Sequence, residues 1–574
     1  MNANKALISE IFNMTTLIEV PFFQRSYVWK EDLWERFLDD LEFSVKTNTP
    51  HFLGTLILQS AGKTPPGSPY TSKLLLVDGQ QRLTTFLIFL KVLCLKINQP
   101  TVFDAQYRLI VSKKLALQHG KNDREAFEAA MNATVLGPIT GPKSSSLVIQ
   151  AYNYFMQHID PAKLDYMTVI SNAQFVRIDL GPNDDAQQIF DSLNSLGINL
   201  TTSELLKNYF FSQNNLTAYQ SIWEVAFELN DAVKAYWDTE IETGSLRRPL
   251  IDIFFDAYFQ LLIQDKKYGV TLQDKQVYAR IHRLSASYQQ FIDNYCGGDK
   301  NVVLAHLKED ALLFMHLFQP NFCNSMVPST FSIERLNVVI FGLKTTTLIP
   351  YVLYLAKKVS DPAVLNEMYG ILESYIMRRT ITQATSKNYN NLFPSLIAAD
   401  ICTPQDLRSR LQAASGMNSY VPTDTELQNG FTNSKLVNLY SKGVLYLLES
   451  SLPPQASATA LLGFNGYSLE HLMPKKWRNN WPSCATEQEA ELRDTKLLTL
   501  GNLAIITQSL NTSIRDSSWD VKKSGKSASK PGLDQCASGL ITLQDALKCS
   551  SWSETEIDIR AAWLYSIAKS LWRI

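Results

Sequence analysis

Hydrophobic positions along the chain change their period from stretch to stretch, and those changes predict the elements. In Lys73–Leu95 the run Leu74–Val77 reads as a buried strand and Asp78-Gly79 as a turn. From Gln80 onward, Leu83, Phe86, Leu87, Leu90, Val92 and Leu93 recur at helical spacing, so the order is strand, tight turn, helix. Upstream, residues 5–20 predict a short helix leading into a strand, and Pro21 opens PFFQRSYVW before a helix that starts at Lys30. Glu31 and Asp32 lie in that helix's first turn, and Leu33, Phe37, Leu38 and Leu41 share one face. HFLGTLILQ (51–59) reads as a strand in which Gly54 marks the close approach of another part of the chain. After Leu95 the pattern is mainly helical until the strand QFVRIDL (174–180), which runs into GPNDDAQQIFDSLNSLGINLTTSELLKNYFF. That segment predicts a helix, a break at Gly197, a capping signal at Thr201–Glu204 and a second helix from Leu205.

From about Tyr236 to Lys435 the pattern is helical throughout, as in PLIDIFFDAYFQLLI (249–263). Further on, Leu497–Thr499 and Ala504–Thr507 have strand character around a Gly501-Asn502 turn, and Asn511 falls where a helix begins. The terminal helix IDIRAAWLYSIAKSLW is expected to pack through Ile559, Trp563, Ile567 and Trp572. The polar stretches Gly62–Ser72, Gly137–Ser146 and Lys522–Gly532 read as loops. The fold class is therefore α+β and multidomain, with 574 residues enough for roughly two to four domains.

A composition of 45% hydrophobic residues fits packed cores, and a net charge of −1 leaves any nucleic-acid contact to local patches rather than a bulk field. The seven cysteines are scattered without a CxxC pair or a Cys/His cluster, which argues against a disulfide framework and a structural zinc and favours a reducing cytoplasm. Residues 1–20 lack a signal-peptide pattern, and no apolar run is long enough for a membrane span.

Several residues are candidates for chemistry. Arg82 stands in the first turn of a helix whose free N–H groups suit a phosphate, and it reads either as an anion ligand or as a structural partner of Asp78. Gly62-Lys63-Thr64 is not a phosphate-binding loop, because Gly54 is too far back and Pro65-Pro66 blocks the required helix. Trp29 reads as a base-stacking platform or as a hydrophobic staple. Asn194, Asn199 and Lys207 read as turn and cap residues. Arg378 and Arg379, near Lys387 and Tyr389, read as a DNA-backbone patch or as a solvated or salt-bridged face. His282, His306 and His316 have no partners at metal spacing. His471 is the last histidine of the chain and follows an acid, so it is a candidate general base on which Glu470 and Asn511 could converge.

PFFQRSYVW, FLGTLIL, VDGQQRLTT and DAQQIFDSLNSLGINLTTSELLKNY, in this order, resemble the DGQQR-motif domain of the GmrSD family of modification-dependent (type IV) restriction enzymes over about residues 5–235. The resemblance implies a ParB/sulfiredoxin-like core that holds nucleotide phosphates. Asp78, Gly79, Gln80, Gln81 and Arg82 would then form the nucleotide motif, with Gln24 and Arg25 as companions. The stretch from YSLEHLMPKKW to IRDSSWDVKK resembles the HNH, or ββα-metal, nuclease motif, with Asn502 and Asn511 nine residues apart and Glu470 where Asp is common. It implies that Glu470 and Asn511 bind Mg²⁺ or Mn²⁺, that His471 deprotonates the attacking water, and that Asn502 orients the His471 loop. Lys475, Lys476, Lys522 and Lys523 would supply positive charge, with Lys523 approaching the transition state.

By this resemblance the chain comprises a nucleotide-binding sensor (1–235), a helical connector (236–435), and an HNH nuclease embedded in a mainly helical C-terminal domain (436–574). The implied function is a nucleoside-triphosphate-regulated, metal-dependent endonuclease with NTPase activity, cytoplasmic and not membrane-bound, that cleaves modified phage DNA in antiviral defence; a homodimer is left open. Two alternatives stand beside it: an NTP-hydrolysing DNA-binding switch with a weak or silent nuclease, and a nuclease toxin acting on host nucleic acid.

Overall fold

Six strands assemble the first element of the fold: β1 (Asn2–Leu7), β2 (Thr16–Glu19), β3 (His51–Ser60), β4 (Ser72–Asp78), β5 (Leu117–Gln118) and β6 (Ala173–Leu180). Their order in the sheet is β1-β6-β3-β4-β2-β5. β1 runs antiparallel to β6 and β3 antiparallel to β4, whereas β3–β6, β2–β4 and β2–β5 are parallel pairs. The computed structural model describes residues 2–181, 184, 201–211, 215–243, 246–279, 283–414, 416, 418–453 and 461–574. The helix and Gly197 break expected between Asp185 and Gly197, with Asn194, Asn199 and His282, lie outside the described residues. The chain divides into two compact units, residues 1–225 and 226–574. No described helix is long and apolar enough to cross a membrane.

In the first unit the helix Gln80–Lys96 follows β4 directly, and every residue from Gly79 to Leu95 except Arg82 is buried. The apolar spacing gave this helix one buried face; it is enclosed on all sides, Thr84, Thr85 and Lys91 included, as a central helix should be. Phe86 and Phe89 pack on Phe37 of the helix Glu31–Thr47 at 6.1 and 6.0 Å between ring centroids, and Phe155 of the helix Leu147–His158 closes the cluster. The start of the chain differs from expectation. Lys5–Leu7 belong to β1, in register with Gln174–Val176 of β6, and only Ile8–Ile11 are helical. The pairing partner lies 170 residues away, so no local pattern announces this strand.

The second unit is mainly helical but includes a hairpin, Glu240–Thr243 with Leu246–Pro249, inside the stretch expected to be helical throughout. Its charged, half-exposed strands carry no apolar alternation that could have revealed them. The helix Pro362–Ile381 is buried from Met368 to Arg379. Its Glu373 accepts two bonds from Arg335 (3.1 and 2.7 Å) and one from Trp572 Nε1 (3.0 Å), while Arg378 Nε donates to the Trp572 carbonyl at 2.6 Å. The last turn of the chain is thereby keyed into the helical segment. Residues 236–435 and 436–574 both lie within the compact unit 226–574.

Arg378 and Arg379 form neither a DNA patch nor a solvated face. Arg379 is wholly buried among Tyr375, Tyr389 and Tyr420, with its guanidinium 5.5–5.7 Å from each ring and bonded to the Tyr420 and Thr385 carbonyls. Arg378 donates to the Trp572 and Pro422 carbonyls and forms a salt bridge with Asp424 at 2.7 Å, so the salt-bridged alternative holds for this arginine. Of the residues expected to pack from the terminal helix, Glu554–Leu571, and its end, Trp572 is buried and Trp563 and Ile567 are half-buried, but the helix centres a different row inward. Ile557, Arg560, Ala561, Leu564 and Ala568 are buried, whereas Ile559 is exposed. Arg560 fixes this rotation by donating to the carbonyls of Gly501, Leu503 and Thr542, and a Cβ at Gly501 would meet the Ile557 carbonyl at 2.2 Å.

Candidate functional site

At the end of β4, Gly79 (φ +96°) caps the helix Gln80–Lys96 with no side-chain acceptor for the first-turn N–H groups. Arg82 Nη2 donates to Asp78 Oδ2 at 3.1 Å. The guanidinium lies over Gly54 of β3 (φ +108°), where a Cβ would stand 2.0 Å from Arg82 Nη1. Gly54 therefore seats the arginine, and the two motifs FLGTLIL and DGQQR meet at this point.

The neighbouring polar residues are committed to the backbone. Gln24 Nε2 donates to the Leu76 and Val77 carbonyls at 2.6 and 3.0 Å. Gln81 accepts from Val28 N (2.8 Å) and donates to the Ser26 carbonyl (3.1 Å), and Gln80 is buried. Tyr27 extends this latch: its hydroxyl bonds Thr85 and Trp34, and its N–H donates to Asp123. Trp29 sits 6.3 Å from Phe37, edge to face, packed on the apolar face of the helix Glu31–Thr47. Arg25 lies 4.0 Å from Glu204, which closes the reciprocal cap with Thr201 at the start of the helix Thr202–Phe210. Gln24 and Gln81 thus act as struts that hold the strand–turn–helix, and Arg82 stands in the first turn beside the N–H groups after Gly79 that no side chain caps.

The second constellation is a strand, a strand and a helix. Ser468–His471 pairs antiparallel with Leu503–Ile506, setting His471 opposite Leu503 and Glu470 opposite Ala504; the helix Gln508–Ile514 follows, capped by Thr507. The expected strand at Leu497–Thr499 does not form. Leu500–Asn502 is a 3₁₀ turn, because the Asn502 side chain takes up the backbone there: it donates to the Leu497 and Met473 carbonyls (3.0 and 2.8 Å) and accepts from Met473 N (2.8 Å) and Trp552 Nε1 (3.0 Å). Asn502 is fully buried, and it fixes the loop that leaves His471.

Asn511 Nδ2 donates to the Leu469 carbonyl at 2.9 Å and to Ser468 Oγ at 3.2 Å, so this amide is held against the strand that bears Glu470 and His471. No hydrogen bond joins the side chains of Glu470, His471 and Asn511 to one another among the described residues. Burial, with Lys475 and Lys522 nearby, lowers the His471 imidazole to about 4, so the ring is neutral at pH 7 and its surroundings oppose the protonated form. Glu470 is 5% exposed and its carboxylate is paired with the ammonium of Lys522, itself 0% exposed. Burial pushes the Glu470 carboxyl up and the Lys522 amine down, and each partner opposes the other's shift.

Lys475 and Lys476 are exposed, with Lys475 near His471, whereas Lys522 and Lys523 are placed otherwise than expected. Lys523 Nζ donates to the Cys549 carbonyl at 2.7 Å, away from His471, while Lys522 reaches Glu470 and also the His471 carbonyl at 2.8 Å. Lys522–Gly532 is not a loop: Lys522 and Lys523 belong to the helix Trp519–Ser524, and a short hairpin follows. Trp519 and Lys522 are buried in this helix, whereas Lys523 lies over the Trp519 ring at 5.6 Å; spacing alone does not separate the two lysines, since both i+3 and i+4 neighbour Trp519.

Among the described residues no group of three or more His, Cys, Asp and Glu side chains is placed to hold a metal. A cation here would take one carboxylate and one amide oxygen from the protein, with water and phosphate oxygens for the rest. That donor set fits Mg²⁺ or Mn²⁺ and does not fit a structural zinc.

The sequence matches two family models: residues 8–211 that of the GmrSD restriction endonuclease N-terminal domain, and residues 421–567 that of the GmrSD restriction endonucleases' C-terminal domain. No curated protein matches the chain. The two matched regions contain, respectively, the Gly54–Arg82 seat and the Glu470–Asn511 constellation, and the chain belongs to the GmrSD family of type IV restriction endonucleases.

Proposed function

We propose that this restriction endonuclease cleaves modified foreign DNA with an HNH-type, divalent-metal-dependent centre at Glu470, His471 and Asn511, under control of a nucleoside triphosphate bound at Asp78–Arg82. Residues 1–235 act as the sensor, 236–435 as connector and 436–574 as nuclease. The observation that carries this reading is the antiparallel pair Ser468–His471/Leu503–Ile506 with Asn511 of the following helix held on the first strand.

Glu470 and the Asn511 amide oxygen would hold a Mg²⁺ or Mn²⁺ ion, which when bound stabilises charge on the phosphate and on the leaving 3′ oxygen. His471, neutral above about pH 4, takes the proton of the attacking water; an adjacent phosphodiester raises its basicity by opposing charge. Asn502 keeps the His471–Met473 backbone in one conformation, so that the imidazole does not have to be ordered at each turnover. In the sensor, Arg82 contributes a guanidinium to a phosphate, and the uncapped N–H groups after Gly79 contribute donors. Asp78 both orients Arg82 and limits its charge until an anion arrives.

The test is hydrolysis of unmodified and of modified phage DNA, with and without nucleotide, by wild type and Arg82→Ala. The proposal expects wild type to cut modified DNA only, with a rate that nucleotide changes and a response that Arg82→Ala loses. Equal hydrolysis with and without nucleotide in both proteins would refute the nucleotide control. Nucleotide turnover without any cleavage would favour the switch protein with a silent nuclease.

A further inference from the structure

We infer that Lys522 is a built-in counter-cation of Glu470 that a divalent metal must displace, so that metal loading is an exchange of one cation for another on the same carboxylate. The inference rests on the reading of Glu470 as a metal ligand. Glu470 faces inward from its strand, and a lone ionised carboxylate at that depth is strongly disfavoured unless a cation accompanies it. Lys522 is that cation. Its ammonium bonds Glu470 Oε1 and the His471 carbonyl, which ties the two residues at the strand end to one buried charge.

The lysine is presented by a fixed base. In the helix Trp519–Ser524, Trp519 Nε1 and Lys523 Nζ both donate to the Cys549 carbonyl, at 3.0 and 2.7 Å. Trp519 also stacks on Trp552 at 5.2 Å, and Trp552 in turn donates to Asn502. The helix is therefore anchored to the same asparagine that holds the loop after His471. What can move is the four-carbon stem of Lys522, whose ammonium has a second acceptor in the His471 carbonyl when Glu470 is taken. A divalent ion and an ammonium cannot share one buried carboxylate without mutual repulsion, so the ion binds more weakly than to the same donors without the lysine. In return, the module keeps its charge balance and its fold when no metal is bound.

The experiment measures Mn²⁺ affinity of the full-length protein by calorimetry at mildly alkaline pH, for wild type, Lys522→Met, Lys522→Arg and Glu470→Gln. The inference expects Glu470→Gln to weaken Mn²⁺ binding, Lys522→Met to tighten it by about tenfold or more, and Lys522→Arg, which keeps the charge, to remain near wild type. Lys522→Met with unchanged or weaker affinity, beside a weakened Glu470→Gln, would overturn the exchange and leave Lys522 a purely structural partner. Glu470→Gln with wild-type affinity would remove the ligand reading itself and this inference with it.

Discussion

Gly54→Ala should separate the arginine seat from the ordinary cost of altering a strand. Gly54 has φ +108°, where an L residue carries about 1–3 kcal/mol of backbone strain. The new methyl would also stand 2.0 Å from Arg82 Nη1 and 3.0 Å from its Cζ, so the guanidinium has to leave its place and its bond to Asp78. Both side chains of that pair are about a quarter exposed, which limits the loss to about 1 kcal/mol. The sum is about 2–4 kcal/mol, or a fall of about 4–16 °C in the unfolding midpoint of the first unit at the usual scaling for its size. Introduced into Arg82→Ala, the same substitution retains only the backbone part and should cost about 1 kcal/mol less. The assay is thermal and urea unfolding of the four proteins of this cycle, with nucleotide binding alongside. Gly54→Ala should lose nucleotide affinity as fully as Arg82→Ala does. Equal destabilisation in both backgrounds, together with intact nucleotide binding, would refute the idea that Gly54 exists to seat Arg82.

Trp572→Ala should destabilise the second unit by about 3–5 kcal/mol, because a fully buried indole bonded to Glu373 is deleted; a loss below about 1 kcal/mol in urea unfolding would show that the chain end is not keyed into the helical segment. Acid should weaken the first unit through His119, whose imidazole is fully buried beside Phe127, 3.1 Å from the Thr84 hydroxyl, and held at about 3 by burial. The folded form resists a proton that the unfolded chain accepts below about pH 6.5, so this contribution is complete above that pH and is lost as pH falls toward 3, by up to about 5 kcal/mol. His119→Gln should flatten the decline in unfolding midpoint between pH 7 and 4, and an unchanged decline would assign the acid sensitivity elsewhere.

The strand–turn–helix around Asp78 was legible because its signals are local: an apolar run, an Asp-Gly turn and a helical repeat. The Thr201–Glu204 capping box was equally plain, although the helix starts at Thr202, three residues before the expected Leu205. What escaped the sequence depends on distant partners. β1 exists only because β6 offers an edge, and the hairpin Glu240–Thr243 with Leu246–Pro249 carries no apolar alternation. Polar residues were hardest to read. Gln24, Gln81, Arg378 and Arg379 looked available for ligands, yet backbone carbonyls and tyrosine rings consume them, since buried polar groups must find partners wherever the fold provides them. Residue type gave the right neighbourhood in the nuclease constellation, and only the buried face of Trp519–Ser524 distinguishes Lys522 from Lys523.

The most direct measurement is cleavage of modified phage DNA in Mn²⁺ by wild type and His471→Ala, with unfolding midpoints and nucleotide binding recorded on the same preparations. The account predicts that His471→Ala loses about a hundredfold or more of the cleavage rate while stability and nucleotide binding stay at wild-type values. Cleavage by His471→Ala at the wild-type rate would place the nuclease centre elsewhere in the chain.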